Sequence, residues 1–153
     1  MQVEKRLKNM GIELPPAVTP VANYVPAVRS GNLVFLSGHG PFDEDGALIT
    51  GKVGADLTTE QGYAAARRIA IGLLGSLKAA VGDLDKVRRI VKLLGLVNCP
   101  PDFGDQPKVI NGASDFLVEV FGDKGKHARS AVGTNALPMN IAAEIEMIVE
   151  IQD

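Results

Sequence analysis

The chain has 153 residues, of which 46% are hydrophobic and 22% charged, and its formal net charge is −2 at pH 7. These values predict one globular domain over residues 1–153 and disfavour nucleic acid as a partner, because phosphate affinity comes largely from clustered Lys and Arg. The single cysteine, Cys99, cannot form an internal disulfide or hold a metal alone. Since no stretch reads as a secretory signal or approaches the ~20 apolar residues of a membrane span, we expect a cytoplasmic protein without a membrane partner.

The N-terminal part reads as a short helix followed by extended chain. In residues 2–10, Val3, Leu7 and Met10 fall on one helical face, and Gly11 is a natural stop. Residues 14–26 contain four prolines, which favours an extended lead-in. Residues 1–20 are therefore assigned to an N-terminal helix and lead-in.

A hairpin and a long helix come next. The runs "VPAVRS" and "LVFLSG" flank Gly31-Asn32, a pair that favours a tight turn between two strands. After a loop that contains "PFDEDGALITGK", Thr58 and Gln61 have capping-box spacing. An apolar stripe with helical period then runs to Gly82, through Ala66, Ile69, Ala70, Leu73, Leu74, Leu77, Ala80 and Val81.

The second half predicts three strands and one more helix. "VRRIVKLLGLV" (87–97) reads as a strand, and Pro107 suits the first turn of the helix that follows. The helix stripe comprises Val109, Ile110, Ala113, Phe116, Leu117, Val120 and Phe121. Strands over 127–135 and 142–151 complete the order β-β-α-β-α-β-β. This order predicts an α+β fold with two helices on one face of a mixed sheet.

The last strand indicates what the other face of the sheet carries. Alternation places Ile145, Met147, Val149 and Ile151 under the helices and leaves Glu144, Glu146, Ile148 and Glu150 opposite. Two helices cover only one side of such a sheet, so the mixed second face is either solvated or paired with another subunit. We expect its burial in a symmetric homo-oligomer.

Arg129 interrupts a segment in which Ala128, Ala131 and Val132 look like core. A buried guanidinium requires an anionic partner, because an unpaired buried charge costs several kcal/mol. That partner is a carboxylate such as Glu144 or Glu146, a nucleic-acid phosphate or a small carboxylate ligand, which a planar guanidinium binds in two-pronged fashion. The residues alone leave these alternatives open.

Three segments, "NYVPAVRSGNLVFLSGHGP", "ARSAV" and "ALPMNIAAEIEMI", resemble the reactive-intermediate (enamine/imine) deaminases, the Rid or YjgF-type family, also described as L-PSP endoribonuclease-like. The resemblance spans roughly residues 20–151. It implies a chorismate-mutase-like fold and a homotrimer with ligand clefts between subunits. It further implies hydrolysis of 2-imino acids, or their enamine tautomers, to 2-keto acids and ammonia, with no cofactor and no metal.

The resemblance also implies residue roles. Arg129 corresponds to the arginine that grips the substrate carboxylate, and Glu144 to the acidic residue beside the attacking water. The remaining substrate-binding positions are Tyr24, an aromatic hydroxyl at the pocket, Ser37 after the second strand, and Asn111 beside the pocket.

Three positions depart from the family pattern, and they bear on which substrate the pocket accepts. Ala131 stands where many imine deaminases have cysteine, His39 replaces a common glutamine, and His127 replaces the proline usual before Ala-Arg-Ser. We include His39 and Ala131 among the substrate-binding candidates. Two other functions remain: a non-catalytic trimer that binds small carboxylates or regulates a partner, and, with less support, an endoribonuclease or translation inhibitor.

Overall fold

A computed structural model describes residues 1–17 and 23–152. The helices and strands, in chain order, are α1 (Gln2–Asn9), β1 (Ala27–Ser30), β2 (Leu33–His39), α2 (Thr59–Val81), β3 (Val87–Asn98), α3 (Gln106–Phe121), β4 (Ala128–Thr134) and β5 (Ala143–Ile151). Short 3-10 turns lie at Leu84–Lys86, Gly122–Gly125 and Pro138–Asn140. The predicted order is confirmed, while residues 18–22 of the predicted lead-in lie outside the described residues.

Local signals in the sequence begin and end these elements as predicted. The N–H of Gln61 donates to the Thr58 hydroxyl oxygen at 3.1 Å, and the Thr58 N–H donates to Gln61 Oε1 at 2.8 Å, which closes the capping box of α2. Pro107 lies in the first turn of α3. Gly31 has a φ of 61° in the hairpin turn, a conformation that glycine adopts without steric cost.

The five strands form one mixed sheet in the order β1-β2-β5-β3-β4. Only β3 and β4 are parallel, and the other neighbours are antiparallel. Helices α2 and α3 pack together on one face and bury the apolar stripes predicted for them, although Ala80, at the end of the first stripe, is exposed. This is the chorismate-mutase-like α+β architecture expected from the sequence.

The other face of the sheet, here called the open face, carries both apolar and acidic side chains. Strand β5 alternates as predicted: Ile145, Met147, Val149 and Ile151 are buried under the helices, and the intervening residues are partly or fully exposed. On β1 and β2, Val28 and Phe35 pair across this face and are 53% and 41% exposed. No described element covers the open face.

In strand β4, the prediction that Ala128 and Val132 belong to the core is wrong. The strand pairs only with β3 among the described strands and therefore forms an edge of the sheet. Ala128 and Val132, expected in the core, are exposed because they point to the open face. Ala131 points the other way and packs half-buried against the core.

Helix α1 is attached to the domain through Asp85. Its carboxylate accepts hydrogen bonds from the N–H groups of Gln2 and Val3 at 2.7 and 2.8 Å and from the N-terminal ammonium. Those hydrogen bonds, the ammonium first, lower the pKa of Asp85 to about 2. Leu7 then inserts into the core at 2% exposure.

The packing of α3 against α2 depends on Gly112, because a Cβ at this position would lie 2.0 Å from the Tyr63 carbonyl oxygen. We predict that Gly112→Ala lowers the free energy of unfolding by about 3 kcal/mol, since the helices must separate. Gly104→Ala is the matched control, because a Cβ there meets nothing within 4 Å. Urea unfolding measures both; equal stabilities for the two variants would contradict this account.

Candidate active site

Arg129 lies on the helix-covered side of edge strand β4. Its register partner on β3 is Leu93, which is fully buried under the helices. The guanidinium donates from Nη1 to Ser114 Oγ at 3.0 Å and from Nη2 to the Pro107 carbonyl at 3.3 Å. A guanidinium has five N–H donors, so three remain beyond these two contacts with described residues. The half-buried cation can therefore bind a carboxylate in addition to α3.

His127 forms the next contact in this network. Its Nε2 lies 2.8 Å from Ser114 Oγ, and its Nδ1 lies 2.6 Å from the Gly125 carbonyl. Burial lowers the pKa of His127, and the positive charge of Arg129 lowers it further. The imidazole is therefore held neutral beside the guanidinium.

Glu144 lies on the open face, opposite Leu96 of β3. Its carboxylate sits directly over Gly38, where an added Cβ would lie 2.6 Å from Oε2. Burial raises the pKa of Glu144, and the neighbouring Glu146 carboxylate raises it further. A carboxyl whose pKa moves toward neutrality is suited to accept a proton from water and to return it.

The two central residues lie on opposite faces of one sheet. Leu93 and Leu96, their register partners on β3, are three residues apart in an uninterrupted stretch, so their side chains point to opposite faces. The chain by itself therefore does not bring Arg129 and Glu144 together. For the same reason, Glu144 and Glu146 are not the carboxylate partners of Arg129 within one chain.

Tyr24 and Ser37 group with Glu144. The Ser37 hydroxyl donates to the Val25 carbonyl at 2.7 Å, and the Ser37 N–H donates to the Pro26 carbonyl at 2.9 Å. Ser37 thereby holds the segment that carries Tyr24, which is 42% exposed. Ser37 directly precedes Gly38, over which the Glu144 carboxylate lies, so these hydrogen bonds attach the Tyr24 segment to this part of β2. We call Tyr24, Ser37, Gly38 and Glu144 the acidic half-site.

Asn111 and Ala131 group with Arg129. Asn111 is half-buried on α3, four residues after Pro107 and three before Ser114, so the three share one helical face. Ala131 follows Arg129 by two residues in β4 and points to the same side of the sheet. We call Asn111, Ser114, His127, Arg129 and Ala131 the basic half-site.

His39 does not join either half-site. Its ring is 3% exposed and lies between β2 and α2, where Nδ1 is 2.6 Å from the Ser37 carbonyl and Nε2 is 2.7 Å from Ser76 Oγ. Burial lowers its pKa. Both ring nitrogens are occupied by hydrogen bonds to described residues, Ser37 and Ser76. The ligand contact expected for His39 from the sequence stays a prediction.

The open face also has a shallow depression of about 290 Å³. Its lining includes Phe35, Lys92, Leu94, Glu146 and Ile148. The depression combines apolar surface with one charge of each sign, Lys92 and Glu146.

Three residues of the half-sites, Gly38, Ser114 and His127, were not among the site candidates from the sequence, where His127 was noted only as a departure from the family pattern. Ser114 carries a weak signal, since it stands seven residues after Pro107 and therefore on the same helical face. Gly38 carries a different signal, because a glycine inside a strand often marks a β-bulge or a place where other atoms approach the backbone closely. The structure has such an irregularity here, since the β2–β5 register shifts between Leu36 and His39. Neither signal identifies a contact with Arg129 or Glu144.

None of the helices in residues 1–17 and 23–152 combines the length and apolar character needed to cross a bilayer.

Comparison with known proteins gives one family match: the family described as "YjgF/chorismate_mutase-like, putative endoribonuclease" matches residues 4–151. The chain is 44% identical to Protein TCP17 of Trypanosoma cruzi over 153 residues, which cover 99% of this chain and 96% of that protein.

Two further similarities concern activity and fold. The chain is 28% identical to a 2-iminobutanoate/2-iminopropanoate deaminase of Dermatophagoides farinae, over 92% of this chain and 95% of that protein. A crystal structure described as a putative endoribonuclease from Shewanella oneidensis superposes with a TM-score of 0.93 at 34% identity, covering 97% of this chain and 99% of that one. These similarities extend over nearly the whole chain.

The surroundings of Glu144 predict its titration. We expect its carboxyl carbon, followed by NMR, to titrate at higher pH than that of a glutamate in a short unstructured peptide, because burial disfavours the charged form. Glu146→Gln should lower the midpoint of Glu144 without abolishing the shift, since burial is the larger cause. Glu60→Gln, an exposed substitution on α2, is the control and should leave the midpoint of Glu144 unchanged. A Glu144 midpoint equal to that of the peptide would refute the assignment.

Proposed function

This chain belongs to the family described as YjgF/chorismate-mutase-like, and from that premise we propose that it hydrolyses 2-imino acids, or their enamine tautomers, to 2-keto acids and ammonia. The name of the deaminase relative supports this substrate class. The observation that carries the proposal is the Glu144 carboxyl, held over Gly38 and raised in pKa by burial. Such a group accepts a proton at the start of a reaction and returns it later.

Arg129 supplies substrate binding in this proposal. Its three remaining N–H donors suit a carboxylate, which pairs with a guanidinium through two parallel hydrogen bonds. Ser114 and Pro107 already bind the other donors, so the guanidinium is held before the ligand arrives. Fixing the carboxylate orients the imine carbon and converts a bimolecular encounter into an ordered one.

The proposed site is composite and lies between copies of the chain in a homotrimer. The acidic and basic half-sites occupy opposite faces of one sheet, so a second copy must supply the missing half. The open face favours such contact, because Val28, Phe35 and Val132 are 53%, 41% and 45% exposed on it. Exposed apolar surface of this kind marks protein interaction sites.

The chemical steps follow from these placements. A water molecule held by Glu144 attacks C2 of the imino acid, whose nitrogen is protonated, and gives one proton to the carboxylate, forming a neutral carbinolamine. The protonated Glu144 gives this proton to the amine nitrogen, and the C2–N bond then breaks as the hydroxyl O–H electrons form C2=O. The hydroxyl proton passes to the Glu144 carboxylate and from there to the departing ammonia, which leaves as ammonium. Tyr24 and Ser37 border the water and supply further hydrogen bonds.

The endoribonuclease named in the family description and in the Shewanella oneidensis structure is the competing activity. RNA cleavage by acid–base chemistry needs titratable groups that reach a phosphate. Here His39 is buried, His127 is bonded at both ring nitrogens, and the net charge is −2. These observations favour the imino acid over RNA.

The test is hydrolysis of 2-iminobutanoate generated in situ, with the buffer rate as baseline. We predict that Arg129→Ala raises KM about 100-fold, because it removes the carboxylate contact, and that Glu144→Gln lowers kcat about 100-fold, because it removes the proton acceptor. Arg129→Lys keeps the positive charge but loses the planar guanidinium that binds a carboxylate through two hydrogen bonds, and it should give an intermediate KM.

Glu60→Gln, an exposed substitution on α2, is the control and should match the wild type. No acceleration over buffer for any imino acid would rule out the deaminase. Saturable binding of 2-ketobutyrate without turnover would then favour the non-catalytic carboxylate-binding protein. RNA cleavage that is lost in Glu144→Gln would favour the endoribonuclease.

A further inference from the structure

The two histidines of the chain have the same local arrangement. In each, Nδ1 lies 2.6 Å from the carbonyl oxygen two residues earlier, Ser37 for His39 and Gly125 for His127. In each, Nε2 lies within 2.8 Å of a serine hydroxyl on the packing helix, Ser76 of α2 or Ser114 of α3.

The direction of each hydrogen bond follows from the chemistry of the groups. A carbonyl oxygen only accepts, so each Nδ1 carries a proton. In a neutral ring Nε2 is then an acceptor, and the serine hydroxyl donates to it. The two arrangements differ in the second partner of the serine hydroxyl. Ser114 Oγ also accepts a hydrogen bond from Arg129 Nη1, whereas no guanidinium within the described residues bonds to Ser76.

We propose that Ser114 and His127 are positioning residues, which fix the guanidinium of Arg129 in the orientation that binds the substrate carboxylate. The proposal deepens the proposed function and rests on it. Strand β4 lies at the edge of the sheet, so packing from one side alone leaves a long arginine side chain several rotamers. Bonds from Nη1 to Ser114 and from Nη2 to the Pro107 carbonyl fix the guanidinium plane instead.

The imidazole makes this orientation specific. A serine hydroxyl turns freely, but when its proton is committed to His127 Nε2 its lone pairs face Arg129. His127 is in turn fixed by Gly125. Proline, the residue that the family resemblance places at position 127, has no side-chain acceptor, so a chain with proline at this position lacks this hydrogen bond.

Burial maintains the neutral form of His127 and lowers its pKa. The hydrogen bond to the Gly125 carbonyl opposes this shift, and the positive charge of Arg129 on β4 adds to it. On α3, the nearby Asp115 accepts a hydrogen bond from Tyr63 at 2.8 Å. In the 3-10 turn, Asp123 pairs with Lys126 at 3.2 Å. On β3, Lys92 lines the depression on the open face. The pKa of His127 is not shifted by any of these four charged groups, which are Asp115, Asp123, Lys126 and Lys92.

The first test is spectroscopic and does not need activity. Long-range 15N–1H correlation on the full-length protein, which has two histidines, reports the tautomer of each ring. We expect both rings to be neutral with the proton on Nδ1 at pH 7. Arg129→Lys should shift the ring resonances of His127 and leave those of His39 unchanged. An Nε2–H tautomer at His127, or no response to Arg129→Lys, would overturn the proposal.

The second test separates positioning from folding. Ser114→Ala should raise KM for 2-iminobutanoate about tenfold and leave kcat within about twofold, because a carboxylate contact binds ground state and transition state alike. Ser114→Thr keeps the hydroxyl and should retain the wild-type KM. Ser76→Ala removes the equivalent hydroxyl beside His39 and should leave KM unchanged, whatever its effect on stability.

The outcomes distinguish this proposal from the proposed function. Equal KM changes in Ser114→Ala and Ser76→Ala would overturn the positioning role while leaving the deaminase intact. If the wild type neither hydrolyses imino acids nor binds 2-ketobutyrate, the proposed function fails. The positioning role for a substrate carboxylate then fails with it, and the NMR response of His127 still reports whether the contact with Arg129 exists.

Discussion

The alternation of side chains across a β-sheet is the constraint on which this account of the molecule depends. It places the Arg129 guanidinium against α3 and the Glu144 carboxyl on the open face, separated by the thickness of the sheet. Neither residue can cross to the other side without shifting a register by one residue, which would expose the buried side of its strand. A reaction that uses both therefore requires surfaces from two copies of the chain.

Partial burial favours the neutral form of the titratable group at both half-sites. It therefore raises the pKa of the Glu144 carboxyl and lowers the pKa of the His127 imidazole. At the acidic half-site the result is a proton acceptor and donor suited to water. At the basic half-site it is a neutral acceptor that leaves Arg129 as the cation available to a carboxylate.

Much of the fold could be predicted from the sequence, because its signals are local. The Gly31 turn, the Thr58–Gln61 capping box and the alternation of β5 each involve residues close together in the chain, and each is confirmed. The position of β4 at the sheet edge could not be predicted, because β5 inserts between β2 and β3 through contacts distant in sequence. Ala128 and Val132, which read as core, are exposed because they point to the open face, and strand alternation alone does not show which face the helices cover.

The site was predicted less completely for the same reason. The resemblance offered Arg129 and Glu144 as candidates but did not indicate that they lie on opposite faces of the sheet, since the face that a side chain occupies depends on strand register and not on residue type. His39 ends β2 between two glycines, and His127 follows the Gly122–Gly125 turn. Their sequence neighbours do not show that His39 bonds to Ser76 or that His127 bonds to Ser114 and, through it, contacts Arg129, because packing decides both contacts. Ser114 itself has no sequence signal beyond its helical spacing.

The most direct measurement mixes the two impaired variants, Arg129→Ala and Glu144→Gln, by co-refolding equal amounts, verifies mixed assemblies by native mass spectrometry and assays them at substrate concentrations below the wild-type KM. If each site takes Arg129 from one copy and Glu144 from another, random assembly restores both groups at about one quarter of the sites, and imine hydrolysis recovers to that fraction of the wild-type rate. Mixed assemblies whose activity stays at the level of the separate variants would contradict the composite site.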